Sequence, residues 1–186
     1  AIESGKKAVE YAPDELSLYQ ALGFAYFKKE DYSSAIATYD TLLVRNKDIQ
    51  MVDEADIHTS LGDIYQQIGD TANAIKNYVL ANEKSTRNGI DKAINQITLG
   101  GLYFDRYEYD KAQPCYSEGV AQLPEDYQNY AMLKKRSDVL DELAVYSQNV
   151  TLQDSLLALS KLSPEEQQKV ADRLVKELKD KEKKAA

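Results

Sequence analysis

The sequence predicts an all-α solenoid of stacked helical hairpins, and three features carry that prediction. A Leu-Gly-x-x-Tyr string recurs as Leu22-Gly23-x-x-Tyr26, Leu61-Gly62-x-x-Tyr65 and Leu99-Gly100-x-x-Tyr103. The interior of the unit keeps its spacing: thirteen residues after each Leu stands Ala35, Ala74 or Ala112, and four further on Tyr39, Tyr78 or Tyr116. The distance between units varies instead, with 39 residues from Leu22 to Leu61 and 38 from Leu61 to Leu99. Length changes confined to the joints are how loops behave between packed repeats.

Each element of the unit follows from its residues. Leu, Gly and Tyr at i, i+1 and i+4 share one face of a first helix. Gly costs such a helix about 1 kcal/mol against Ala, so its recurrence predicts a close approach that offsets the cost. A turn follows at Lys29-Glu30-Asp31-Tyr32, Ile68-Gly69-Asp70-Thr71 and Arg106-Tyr107-Glu108-Tyr109. The second helix then offers a small Ala where it crosses the first, with Ile36 or Ile75 beside it in two units and a large Tyr one turn on. One such hairpin leaves an apolar face bare, and stacking the next hairpin covers it.

These residues resemble the tetratricopeptide repeat (TPR) signature, most closely in Tyr19-x-x-Leu22-Gly23-x-x-Tyr26 followed by Asp31-Tyr32-x-x-Ala35-Ile36-x-x-Tyr39. The resemblance spans about three quarters of the chain and implies a right-handed superhelix. The sequence departs from the family pattern in its 38 to 39 residue spacing, in His58 and Gln96 at the usual Trp position, and in Gly119 where a small Ala is typical. The longer spacing predicts extended helix ends or connections, with Asn88-Gly89 as a helix C-terminus followed by a left-handed Gly.

Once the register is set, both ends become readable. Projected backwards, the repeat places a second-helix Ala at Ala1, a small residue at Ala8 and a terminal Pro at Pro13. Residues 1–14 are then the second helix of a repeat whose first helix is missing, and the chain is expected to be a fragment of a longer protein. Its Ile2, Val9 and Tyr11 would form an apolar edge open to weak association. Full repeats follow at 15–50, 51–89 and 90–125, the last closed by Pro124. Projected forward, the pattern keeps Leu133 but puts Lys134 in place of Gly and Tyr146 in place of Ala, so 126–162 is a degenerate repeat or helical cap. Leu152, Leu156, Leu159 and Leu162 form a stripe along it. Ser163-Pro164-Glu165-Glu166 is a helix start, and Val170, Leu174 and Leu178 give residues 163–182 an apolar face expected to seal the last repeat. A disordered tail is expected at 183–186.

The stretch Leu152-Gln153-Asp154-Ser155-Leu156, with Leu162-Ser163-Pro164-Glu165-Glu166, is similar to the ends of repeat arrays in large Bacteroidetes TPR proteins, including lipoproteins of gliding and type IX secretion machinery. This resemblance covers about thirty residues and implies a periplasmic or outer-membrane-associated site of action; without it a cytoplasmic one is expected. A comparable Asp-Ser-Leu pattern closes the arrays of some sensor kinases.

Composition narrows the function classes. A net charge of −8 repels phosphate backbones and acidic membrane surfaces, so nucleic acid and direct membrane contact are not expected. No apolar run approaches the roughly 18 residues of a spanning helix. The single Cys115 forms no internal disulfide, and with one His and one Cys no metal site of matched ligands is expected. His58 replaces a packing residue and has no nucleophile or carboxylate arranged around it in sequence. Gly100-Gly101 lacks the Lys-Ser/Thr of a phosphate-binding loop. Of the 14 Tyr residues, nine fall on repeat positions and are assigned to packing. No enzyme activity and no cofactor are expected.

What remains is a binding surface. With Tyr19, Leu22 and Tyr26 facing the core, residues offset by two positions face away, and in a solenoid the first helices line the concave side. That selects Ser17, Gln20, Phe24 and Phe27 in the first repeat, Asp56, Thr59, Asp63 and Gln66 in the second, and Ile94, Ile97, Gly101 and Phe104 in the third. Phe27 and Phe104 occupy a position where an aromatic commonly packs, which leaves Phe24 as the unusual exposed aromatic. The Lys and Asn residues with which chaperone-type TPRs hold a C-terminal carboxylate are missing from the matching positions. The expected function is a scaffold that holds a peptide or helical segment of a partner protein in the groove. The alternative is a ligand-sensing region of a sensor kinase or transcriptional regulator.

Overall fold

The computed structural model describes residues 2–86 and 88–185. Among them the chain is helical throughout, with no strand: α1 (Ile2–Tyr11), α2 (Leu16–Lys28), α3 (Tyr32–Ile49), α4 (Glu54–Gln67), α5 (Thr71–Lys84), α6 (Ile90–Asp105), α7 (Tyr109–Gln122), α8 (Tyr130–Ser160) and α9 (Pro164–Ala185). Ala1, the projected crossing residue of the half repeat, lies outside the described residues, as does Ala186. The closest packing is within the pairs α2/α3, α4/α5 and α6/α7 and between α7 and α8, while successive pairs touch through α3/α4 and α5/α6. The first helices α2 and α4 also touch directly, which puts them on a common side of the stack.

The repeated glycine is explained by its partner. A Cβ added to Gly23 would stand 2.8 Å from Cε2 of Tyr39, one on Gly62 2.8 Å from Cε1 of Tyr78, and one on Gly100 2.8 Å from Cδ2 of Tyr116. In each hairpin the ring of the second-helix Tyr fills the notch that the first-helix Gly leaves, so Gly and Tyr are one packing device repeated three times. Ala35, Ala74 and Ala112 are fully buried at the crossings. The notch therefore admits an aromatic ring, where the sequence had suggested only a closer helix.

The turns inside the hairpins also repeat. Glu30, Gly69 and Tyr107, each eight residues after the repeat Leu, all take positive φ, at 60°, 78° and 61°. Only the second of these positions has a glycine to relieve the crowding of a left-handed backbone. The next residue donates its amide back to the repeat Tyr: Asp31 N to Tyr26 O at 3.1 Å, Asp70 N to Tyr65 O at 2.9 Å and Glu108 N to Tyr103 O at 3.0 Å. This closes the first helix in the manner of a Schellman turn. Asp31 and Asp70 then cap the second helix by accepting from Ser34 N and Asn73 N. Glu108, one methylene longer, makes no side-chain cap bond.

Four expectations differ from the structure. Asn88-Gly89 does not end a helix: α5 stops at Lys84, and Gly89, at φ 146°, is the N-cap of α6. On α1, Ile2 and Val9 pack against the first core cluster, so of the apolar edge foreseen there only Tyr11 stands clear, at 93% exposure. The seal comes from a different place. The first half of α8 covers α7 through Leu133, Ser137, Leu140 and Ala144, whereas α9 shares no substantial interface with the repeats, and its Leu174, Val175 and Leu178 are exposed. The expected disordered stretch at 183–186 is helical as far as Ala185.

Candidate protein-binding groove

Along the first helices runs an open groove that joins all three repeats. One concavity of about 280 Å³ is lined by Gln20 from α2, Asp56, Thr59 and Ser60 from α4, and Asp91, Ile94 and Asn95 from α6. Toward the N-terminal end, Phe24, Phe27, Tyr39, Ser60, Asp63 and Ile64 surround a smaller notch of about 120 Å³. Toward the other end, Ile94, Ile97 and Thr98 face the α7–α8 connection at Tyr127, Gln128 and Asn129, together with Met132 and Leu133, around about 260 Å³. Asp56, Asp63 and Asp91 lie between its apolar ends, and Phe24, Ile94 and Met132 are its exposed apolar points.

The residues selected from the sequence divide by what they touch. Phe24 is 53% exposed, with the Lys28 ammonium 5.1 Å from its ring centre. Phe27 packs on Tyr32 with ring centres 6.0 Å apart, and Phe104 on Tyr109 at 5.4 Å with the Arg136 guanidinium 5.1 Å from the Phe104 ring. Those two aromatics belong mainly to the hairpins. Ser17, Asp56 and Ile94 are exposed, while Gln20, Thr59, Ile97 and Gly101 are half-buried.

Asp63 and Gln66 have a structural task. The Tyr78 hydroxyl donates to Asp63 Oδ1 at 2.6 Å and lies 2.9 Å from Gln66 Oε1. Partial desolvation raises the Asp63 pKa above the ordinary carboxylate value, and the bond from Tyr78 opposes the rise. Burial, followed by the hydrogen bond to Asp63 and its charge, pushes the Tyr78 phenol far above its ordinary value. The pair thus anchors the ring that fills the Gly62 notch, and both members still edge the groove.

Sequence reasoning missed Asp91 and Asn95. Asp91 lies three residues before Ile94, one turn earlier on the same face, and extending the offset rule by a turn would have found it. Asn95 donates from Nδ2 to Thr59 Oγ1 at 2.6 Å, bridging the second and third repeats across the groove floor. Nothing in a single-repeat pattern marks such a bond.

The two residues with latent chemistry are absorbed by packing. His58 is buried, with Nδ1 3.0 Å from Asn77 Oδ1. Burial, helped by the nearby Glu118 carboxylate, pushes the Cys115 thiol up to about 11, so at neutral pH it is a protonated, unreactive thiol. Among the described residues no three His, Cys, Asp or Glu side chains converge as a metal site, and no helix is long and apolar enough to cross a membrane.

Stacked hairpins whose first helices share a groove define an α-α repeat solenoid of the kind that serves as a protein-interaction scaffold. The family model described as tetratricopeptide repeat matches residues 16–48 and 55–83, the first two hairpins. The third hairpin, with Gln96 and Gly119 at consensus positions, lies outside the matched segments. No curated protein matches the sequence. Among solved structures the fold is similar to a crystal structure of MamA (21% identity, 84% of this chain and 88% of that one, TM-score 0.58). A second MamA protein structure is similar at 22% identity over 88% of this chain and 86% of that one, TM-score 0.57. BtubC (BKLC) from P. vanneervenii is similar at 18% identity over 88% of this chain and 71% of that one, TM-score 0.59. At these identities the likeness speaks for the fold alone.

Proposed function

We propose that this chain holds an extended or helical segment of a partner protein in the groove lined by α2, α4 and α6. The observation that carries the reading is the continuity of that groove across three repeats, with an exposed Phe24 near one end and an exposed Ile94 near the middle. Binding free energy at protein surfaces concentrates on a few apolar or aromatic anchors, with polar neighbours supplying orientation. Here Phe24 and Ile94 are the anchors, and Gln20, Thr59 and Asp56 are the polar contacts. The net charge of −8 directs the groove toward protein segments and away from nucleic acid.

Phe24→Ala and Ile94→Asp, both at exposed positions, test this reading. Pull-down from a native lysate with each variant should recover at least tenfold less partner, with helical circular dichroism and melting unchanged. Equal recovery with both variants would move the binding surface off the groove. Asp63 is unsuitable for this test because replacing it also removes the acceptor of Tyr78.

A further inference from the structure

We infer that the C-terminal arm, residues 145–185, is a self-association surface on which a second copy of this chain docks. The arm begins where α8 changes its apolar face. Leu133, Ser137, Leu140 and Ala144, spaced four, three and four residues apart, form the line that lies against the last repeat. At about 100° per residue this line continues through Ser147, Thr151 and Ser155, which are polar. The large apolar residues beyond Ala144 stand on the other side of the helix. Val145, Leu152 and Leu156 form one row and Tyr146, Val150 and Leu157 a second, all exposed.

Among the described residues no other element covers this face. Gln167 Nε2 donates to Leu159 O and to Leu162 O, both at 3.1 Å, while Ser163 and Glu166 exchange capping bonds. Those bonds set the α8–α9 joint and leave the α9 stripe of Val170, Leu174 and Leu178 without a substantial interface on α8.

Area and charge identify the occupant. The exposed apolar side chains of the arm keep between 37% and 70% of their surface in water, which sums over both helices to on the order of 800–1,000 Å² per copy. That is comparable with one side of a standard protein interface, about 800 Å². Residues 1–144 carry 24 acidic and 15 basic side chains, whereas 145–186 carry seven acidic and eight basic. Two copies therefore repel through their repeats and not through their arms. A two-fold, self-complementary pairing of arms buries both stripes and holds the acidic bodies apart. The N-terminal edge, reduced to Tyr11, offers no comparable area.

Sedimentation velocity on the full chain at micromolar concentration should give twice the 21.0 kDa of one chain. The double variant Leu156→Glu/Leu174→Glu should sediment as a monomer, and the milder Leu156→Ala/Leu174→Ala, which keeps helix propensity, should weaken association at least tenfold with the far-ultraviolet spectrum unchanged. Tyr11→Glu should leave the dimer intact, and Phe24→Ala should lose partner without affecting dimerisation, so this inference and the groove reading fail separately. A monomeric wild-type chain overturns the inference, as does a dimer that survives both arm variants.

Discussion

Leucine is about as frequent in the second half of α8 as in the first, yet Leu140 is fully buried and Leu156 is 57% exposed on the same continuous helix. The difference lies in phase. Leu140 falls on the line that meets α7, and Leu156 falls on the far side of a helix that has already run past the repeats. Apolar content alone does not place a residue in a core; its angular position must coincide with a neighbour that exists at that height along the stack. The repeats meet this condition through the Gly–Tyr notch, and the arm does not meet it within one chain.

The sharpest way to break this comparison is a matched truncation. Leu140→Ala removes a fully buried side chain and should cost about 2–5 kcal/mol through lost burial and the cavity left behind. Leu156→Ala in a sample held monomeric by dilution should move the melting midpoint by less than the measurement error. Thermal melts of the two variants side by side decide the matter. Similar losses would mean that the arm packs on the repeats in solution and that the two halves of α8 are equivalent.

The repeats were legible in the sequence because they state the same physical device three times. Leu22-Gly23, Leu61-Gly62 and Leu99-Gly100, with Tyr39, Tyr78 and Tyr116 at fixed distance, left little freedom for the hairpins. The arm was misread for the opposite reason. Leu152, Leu156 and Leu159 form a valid amphipathic stripe, and periodicity shows that a face is apolar without showing what it faces. The seal was assigned to α9 because Ser163-Pro164-Glu165-Glu166 marks a helix start so clearly; the angle at the joint depends on Gln167 reaching two carbonyls of the preceding helix, which no sequence pattern signals. In the groove, the offset rule located Phe24 and Ile94 but could not tell that Asp63 and Gln66 also serve the Tyr78 hydroxyl.

A smaller effect tests the device that distinguishes the repeats. At Gly62 even a Cβ would stand 2.8 Å from the Tyr78 ring, so Gly62→Leu must displace that ring and strain its bond to Asp63. Overpacking of this kind costs about 1–3 kcal/mol. Gly62→Ala should cost less in a Tyr78→Leu background than in the unaltered chain, since the added methyl no longer meets the Tyr78 ring. A Gly62→Leu chain with wild-type melting would show that Tyr78 has another place to go and that the notch is not what fixes the hairpin.

The smallest expected difference compares two helix starts. Asp31 caps α3 inside the first repeat, its Oδ1 accepting from Ser34 N at 3.2 Å. Ser163 caps α9 in the arm, its Oγ 3.4 Å from Glu166 N and its own amide donating to Glu166 Oε2 at 2.9 Å. Removing a cap costs a helix about 1 kcal/mol, but that cost reaches the cooperative unfolding transition only if the helix belongs to the cooperative unit. Asp31→Ala should therefore lower the melting midpoint by a few degrees, while Ser163→Ala in a dilute, monomeric sample should reduce helical signal before the transition and leave its midpoint in place. Hydrogen exchange resolves the two cases by region, with faster exchange across residues 164–170 in the Ser163 variant and no change in the amides of α3. If the Ser163 variant melted at a lower temperature in the monomer, α9 would have to be counted within the fold of the repeats.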